Sequence, residues 1–363
     1  MPKESMTSRE RWLAVLNHQK PDRIPMDYWA TPEATKKLMK YLRCDSEESL
    51  FNRLHIDPVT TVWPKYIGPP ERAGFMEPPV GSDKNIDIFG CGFKEMSYGV
   101  GVYEECIHHP LAEYETLEEI MHNYRWPSPD WYDYSVIPSQ IMGKEKYPIQ
   151  CYGSEPGWKY AHLRGHEQAL IDFVLHPEIA HYCIDEIFDF CHEVTRRIYE
   201  TIPDRVDLTY VTEDFGSQES LMYSPDLIRD FFIPGMKRMI NLAHETGSFV
   251  FHHSDGAIRE IIPEMVKAGI DILNPIQWRC KGMEREALKR DFGDEIVFHG
   301  AMDNQYTLAF GSIKEVHREA LDNLRILGKG GGYILAPCHN IQVASPPENI
   351  VTMYETGCGN GWY

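Results

Sequence analysis

In the stretch FVFHHSDGAI, Phe249 to Ile258, three apolar residues run into two histidines, and an aspartate follows just before a glycine. Residues two apart in an extended segment point the same way, so His253 and Asp255 present an imidazole nitrogen and a carboxylate to one point. Cys338, in APCHN near the far end of the chain, offers a thiolate. Nitrogen, oxygen and sulfur donors with one position left open describe a catalytic zinc site. Further polar residues end the other apolar runs: Glu213 and Asp214, Asn274 and Gln277, His299 and Asp303, His339 and Asn340. A buried polar group without a partner is costly, so this many at the ends of apolar runs implies pairing or a metal.

Parallel strands would bring those ends to one place. From about Pro203 the chain alternates between apolar runs and helical patterns: VDLTYVTEDF with PDLIRDFFIPGMKRMINLAHETG, SFVFHHSDG with AIREIIPEMVKAG, IDILNPIQ with MEREALKRDFG, EIVFHGAMD with IKEVHREALDNLRILG, and GYILAPCHN with PPENIVTMYETG. Nearly continuous apolar runs are the mark of strands covered on both faces by crossover helices. RIPMDYW, PVTTVW and YPIQCYG, at residues 23–29, 58–63 and 147–153, bring the count to eight. The expected fold is α/β, a single (β/α)8 TIM barrel over residues 1–363, with its chemistry at the C-terminal ends of the strands. No GxGxxG follows any strand, which weakens an open dinucleotide-binding sheet. SRERWLAVLNHQ reads as a helix ahead of the first strand, and residues 64–115 read as a β-hairpin insertion beside the barrel mouth.

Bulk composition narrows the function. The 363 residues carry a net charge of −19, which opposes binding to nucleic acid or an anionic membrane surface. No segment approaches the length of an apolar membrane span, and MPKESMTSRERW lacks a secretory apolar core. Nine scattered cysteines without a CxxC pair fit neither a disulfide framework nor a structural zinc finger, so a reducing cytoplasm is expected.

Three segments carry a family resemblance: RERWLAVLNHQKPDRIPMDYW, HSDGAIREIIPEMVKAGIDILNPIQ, and VFHGAMDNQYTL with GGGYILAPCHNIQ and PPENI. They resemble the uroporphyrinogen decarboxylase superfamily, whose members are single (β/α)8 barrels. The superfamily holds heme-pathway decarboxylases and zinc methyltransferases that work with a corrinoid protein. The decarboxylases carry paired arginines after the first strand, whereas no arginine lies here between Arg23 and Arg43. The methyltransferases carry an H-x-C-G zinc motif and a second cysteine after the last strand. HSDG matches it at His253, with Asp255 in place of the first cysteine, and Cys338 matches the second. A carboxylate in place of a thiolate makes a harder, more Lewis-acidic centre, suited to a departing oxygen.

The resemblance therefore implies a zinc-dependent methyltransferase that moves a methyl group from a methylated donor, best a methoxylated aromatic, to the cobalt of a partner corrinoid protein. His253, Asp255 and Cys338 are the expected zinc ligands. Glu213 or His339 assists the leaving oxygen or completes the ligand set, and register leaves open whether Glu213 or Asp214 faces the site. Tyr28, Trp29, Trp63 and Asn274 are the expected substrate contacts, with Tyr66, Trp158 and Tyr160 around the same mouth. The chain has no D-x-H-x-x-G cobalamin motif, so cobalamin would arrive on a separate protein; a homodimer is left open. The alternatives are a metal-free decarboxylase or lyase acting on a smaller acid, and a binding barrel without catalysis.

Overall fold

The computed structural model describes residues 4–68, 85–97, 99 and 101–363. Along the chain, β1 (Thr60–Val62) is followed by an antiparallel hairpin, β2 (Gly92–Ser97) and β3 (Val102–His108). Six further strands of the main sheet follow: β4 (Ile149–Ser154), β5 (Leu208–Val211), β6 (Phe249–His253), β7 (Ile272–Asn274), β8 (Val297–Met302) and β9 (Tyr333–Pro337). Strands β1 and β4 to β9 form one curled parallel sheet in that order. The hairpin lies within the expected insertion, whose residues 69–84, 98 and 100 fall outside the described residues.

The expected first strand, 23–29, is a short set of bridges. Leu335 donates its amide to Pro25 (2.9 Å), and Asp27 donates to Leu335 (2.9 Å). On the other side the Asp57 amide donates to Met26 (2.7 Å). Pro25 has no N–H to give, so a full ladder cannot form there. The interior is filled by one residue from each of five strands: Leu208, Phe251, Ile272, Val297 and Ile334. Helix α1 (Ser8–Leu16) plugs it with Trp12, Val15 and Leu16. A capping box between Thr7 and Glu10 starts that helix and satisfies two orphan backbone donors.

Two expected helices start or run differently. AIREIIPEMVKAG is helical only over Ile262–Ala268, because Pro263 fits the first turn of a helix and not its interior. In the segment after Pro225, a π turn at Ile228–Phe232 precedes the helix Ile233–Glu245. Pro234 cannot donate to the turn before it, and the wider turn accommodates that.

A buried ion cluster holds the entry to the sheet. Asp57 is 2% exposed and bonds both Arg11 and Arg23, the latter at 2.7 Å, while also accepting from the Met26 amide (2.9 Å). It thereby ties α1, the 23–30 segment and the approach to β1 together. Removing one partner of such a cluster leaves buried charge uncompensated. Asp57→Ala should cost about 3–5 kcal/mol in urea denaturation; a loss near zero would mean that the cluster does not hold this end of the sheet.

Candidate metal centre and its adjoining cavity

Alternation along β6 decides which histidine faces the interior. Phe251 points inward, so His253, two residues on, does too. His252 points to the opposite face, where its Nδ1 donates to the Val211 carbonyl (2.7 Å). Full burial pushes the His252 ring down to about 4, which makes it a neutral packing residue. His253 donates Nδ1–H to Asn274 Oδ1 (2.5 Å), leaving Nε2 free to act as a ligand.

The turn after β6 brings Asp255 back beside that nitrogen. Gly256 sits at φ +88°, and a Cβ there would lie 2.4 Å from the Ser217 carbonyl oxygen, so only glycine fits. The Asp255 amide donates to Asp214 Oδ1 (3.0 Å), and the Gly256 amide to Gln277 Oε1 (3.0 Å). His253, Asp255 and His339 each place a ligand atom within 4.8 Å of the others. Trp29 lies against the His339 ring at 4.5 Å and edge-on to His253 at 5.7 Å, covering the pair.

The chemistry of this set fits a divalent cation. Asp255 Oδ1 is buried and has no hydrogen-bond partner among the described residues. Burial pushes the Asp255 carboxyl above its usual range, opposed by the nearby His253 and His339 rings. A cation held between two imidazoles and this oxygen would satisfy it. A second group, Glu4, His55 and Cys358, shares the same spacing, but its carboxylate is already bonded to Arg23 (3.0 Å) and His55 (2.9 Å).

Other expected site residues take different places. Cys338 is 3% exposed, and its thiol lies 3.3 Å from the Ile276 carbonyl oxygen, outside the three-donor group. Burial, reinforced by Asp303, Glu319 and Asp255, pushes that thiol well above its ordinary range, and His339 rather than Cys338 stands in the three-donor group. Glu213 turns away from His253 Nε2: its amide donates to the His253 carbonyl (3.1 Å), and its Oε2 accepts from the Gly157 amide (2.6 Å). It is Asp214 that faces the site, with Oδ1 3.7 Å from His253 Nε2. Asn274 has both ends of its amide engaged, by His253 and by His299 (2.6 Å). Tyr28 packs on Phe51 and Tyr354 and bonds Thr35 (3.0 Å), and Tyr160 is buried on Asp172 (2.5 Å).

Trp63, Tyr66 and Trp158 line a cavity of about 580 Å³ with Tyr152, Phe89 and Phe190. Its lining spans the ends of β1 and β4, helix α2 (Pro156–Arg164), the hairpin insertion and helix α3 (Pro177–Thr201). Lys159 in its wall pairs with Asp87 (2.5 Å), so that charge is neutralised. Glu155 also lines the cavity and accepts from the Tyr152 hydroxyl (2.8 Å). Burial first, and Asp214 next, push its carboxyl up, while His253 pulls it down, so Glu155 links the cavity electrostatically to the three-donor group. The sequence signal for Glu155 was GSEPGW at the end of the YPIQCYG run, the same end-of-strand pattern that marks His253.

A sequence profile described as Uroporphyrinogen decarboxylase (URO-D) matches residues 160–357. The chain belongs to the uroporphyrinogen decarboxylase family. The matched region of this URO-D chain carries His253, Asp255, Cys338 and His339, while Trp29, Trp63 and Glu155 lie before it. Among solved structures, a methyltransferase from Methanosarcina mazei matches with a TM-score of 0.64 at 17% identity, covering 98% of this chain and 99% of that one. At that identity the shared property is the fold. Xylanase 10B from Thermotoga maritima matches at a TM-score of 0.41 and 10% identity, over 68% of this chain and 91% of that one, too loosely to bear on function. A comparison with curated proteins finds no match.

Burial holds the Glu213 carboxyl well above its ordinary range. The folded state therefore keeps this proton where the unfolded chain has released it. The resulting stability is fully present below the unfolded pKa and is lost as pH rises toward the folded one. In metal-free protein, Glu213→Gln should lack that slope, so its melting temperature should gain on wild type between pH 5 and pH 8. Parallel curves for the two proteins would mean that Glu213 is not held protonated.

Proposed function

We propose that this URO-D family chain is a zinc-dependent methyltransferase, the component that takes a methyl group from a methylated donor and passes it to the cobalt of a partner corrinoid protein. The observation that carries this reading is the three-donor group of His253, Asp255 and His339 beside an aromatic cavity. His253, Asp255 and His339 would hold the zinc. Bound zinc supplies Lewis acidity at a departing oxygen.

The chain's own residues do the rest. Trp63, Tyr152 and Trp158 give a planar donor stacking surfaces, which favours a methoxylated aromatic over a small alkyl donor. Trp29 excludes water from one side of His253 and His339. Burial holds the Glu155 carboxyl above its usual range, which suits it to deliver a proton to the leaving phenolate and become the carboxylate. A tetrapyrrole bearing many carboxylates would need cations. Among the described residues the lysine in the cavity wall is committed to Asp87, and no arginine lies between Arg23 and Arg43. We also read the 23–30 segment as an eighth stave, which closes the sheet into a (β/α)8 barrel of one domain.

The test is methyl transfer from a methoxyphenol to a corrinoid, followed together with metal content. Wild type should carry about one zinc per chain, and chelation should abolish transfer. His339→Ala should lose both the metal and at least about 100-fold in rate, whereas Cys338→Ser should keep its zinc. Full activity after chelation would overturn the zinc reading. Release of CO2 from a small acid by metal-free protein would install the decarboxylase alternative, in which the unpartnered Asp255 oxygen acts directly on a carbon acid.

A further inference from the structure

A chain of three hydrogen bonds runs from the candidate centre through the interior to the first strand segment. His253 Nδ1 bonds Asn274 Oδ1 (2.5 Å), Asn274 Nδ2 bonds His299 Nδ1 (2.6 Å), and His299 Nε2 bonds Asp27 Oδ2 (3.0 Å). The first three residues occupy inward rows of neighbouring strands: His253 above Phe251, Asn274 above Ile272, His299 above Val297. Asp27 follows Met26, which bridges to Leu335 of β9.

We infer that Asp27 is a positioning residue that fixes the tautomer of His253 through His299 and Asn274, although it does not belong to the three-donor group. The inference rests on the metal-centre reading for its purpose and on hydrogen-bond polarity for its logic. Asp27 accepts at both oxygens, since Oδ1 takes the Tyr28 amide (2.8 Å), so His299 Nε2 must be the donor to Oδ2. A neutral His299 then has only a lone pair at Nδ1, which requires the NH2 end of Asn274 to face it. The amide oxygen is thereby aimed at His253, whose proton must sit on Nδ1. The lone pair of His253 is left on Nε2, the nitrogen beside Asp214 and the three-donor group.

The reversed amide would put the His253 proton on Nε2, where it blocks ligation. With Asp27 accepting, that arrangement needs a second proton on His299. His299 is 3% exposed and packed against Phe251 (5.0 Å) and Trp12 (6.0 Å). An acceptor-only group at position 27 thus sets the sense of every bond up to Nε2. Asparagine there could donate to His299 Nε2 and let the chain run backwards.

The test uses metal-free protein labelled with 15N-histidine, whose ring tautomers are read by long-range 15N–1H correlation and assigned with His253→Gln and His299→Gln. Wild type should show His253 protonated at Nδ1 and His299 at Nε2. Asp27→Asn should bring in the Nε2-protonated form of His253 and raise the zinc dissociation constant by about 10- to 100-fold, and Asp27→Glu should restore both. Wild-type His253 protonated at Nε2, or an Asp27→Asn protein with unchanged tautomers, would overturn the inference. Should Asp27→Asn fail to fold, the two wild-type tautomers decide alone. Tautomers that behave as expected in a protein that binds no zinc would support the relay and remove the metal from the proposed function.

Discussion

Period-two alternation in parallel strands held in fixed register is the constraint on which the rest of the molecule depends. It puts Phe251, Ile272 and Val297 in one interior layer. The same alternation forces His253, Asn274 and His299 into the layer above, where they touch one another. A slip of one residue in any of these strands would trade an interior histidine or asparagine for a residue meant to meet a helix. The apolar layer and the polar layer are therefore one arrangement, and the packing of Trp12 from below supports the position of His299 above.

Desolvation gives that arrangement its chemical character. Glu155, Glu213, Asp214 and Asp255 crowd one end of the sheet, and burial raises Glu155, Glu213 and Asp255. Each buried carboxyl has a different remedy. Glu213 takes a backbone amide, Glu155 takes a tyrosine hydroxyl, and Asp255 keeps one oxygen with no protein partner among the described residues. The same carboxylate offers an oxygen within 4.8 Å of two imidazole nitrogens, which is where a cation would be held. The aromatic cavity supplies the apolar surface that the charged end lacks, and Glu155 borders both.

Strand positions were legible in the sequence because buried parallel strands are continuous apolar runs that end abruptly in polar residues. That pattern also pointed to His253 and Asp255. It could not separate Cys338 from His339 or Glu213 from Asp214. These are adjacent residues just past the ends of β5 and β9, where alternation no longer holds and turn geometry decides which side chain comes forward. The Asn274 role was hidden for another reason: its partners His253 and His299 come from different strands, and only three-dimensional register brings them together. Helix starts were displaced where a proline, Pro263 or Pro234, limited what the backbone could donate.

The central claim is that one divalent ion sits among His253, Asp255 and His339. Anomalous diffraction at the zinc absorption edge, from crystals of protein supplied with zinc, addresses it directly. The account predicts a single strong peak in bonding contact with His253 Nε2, an Asp255 oxygen and a His339 nitrogen, with the Cys338 sulfur outside bonding distance. A site with no peak, or a peak bonded to Cys338 with His339 turned away, would contradict it.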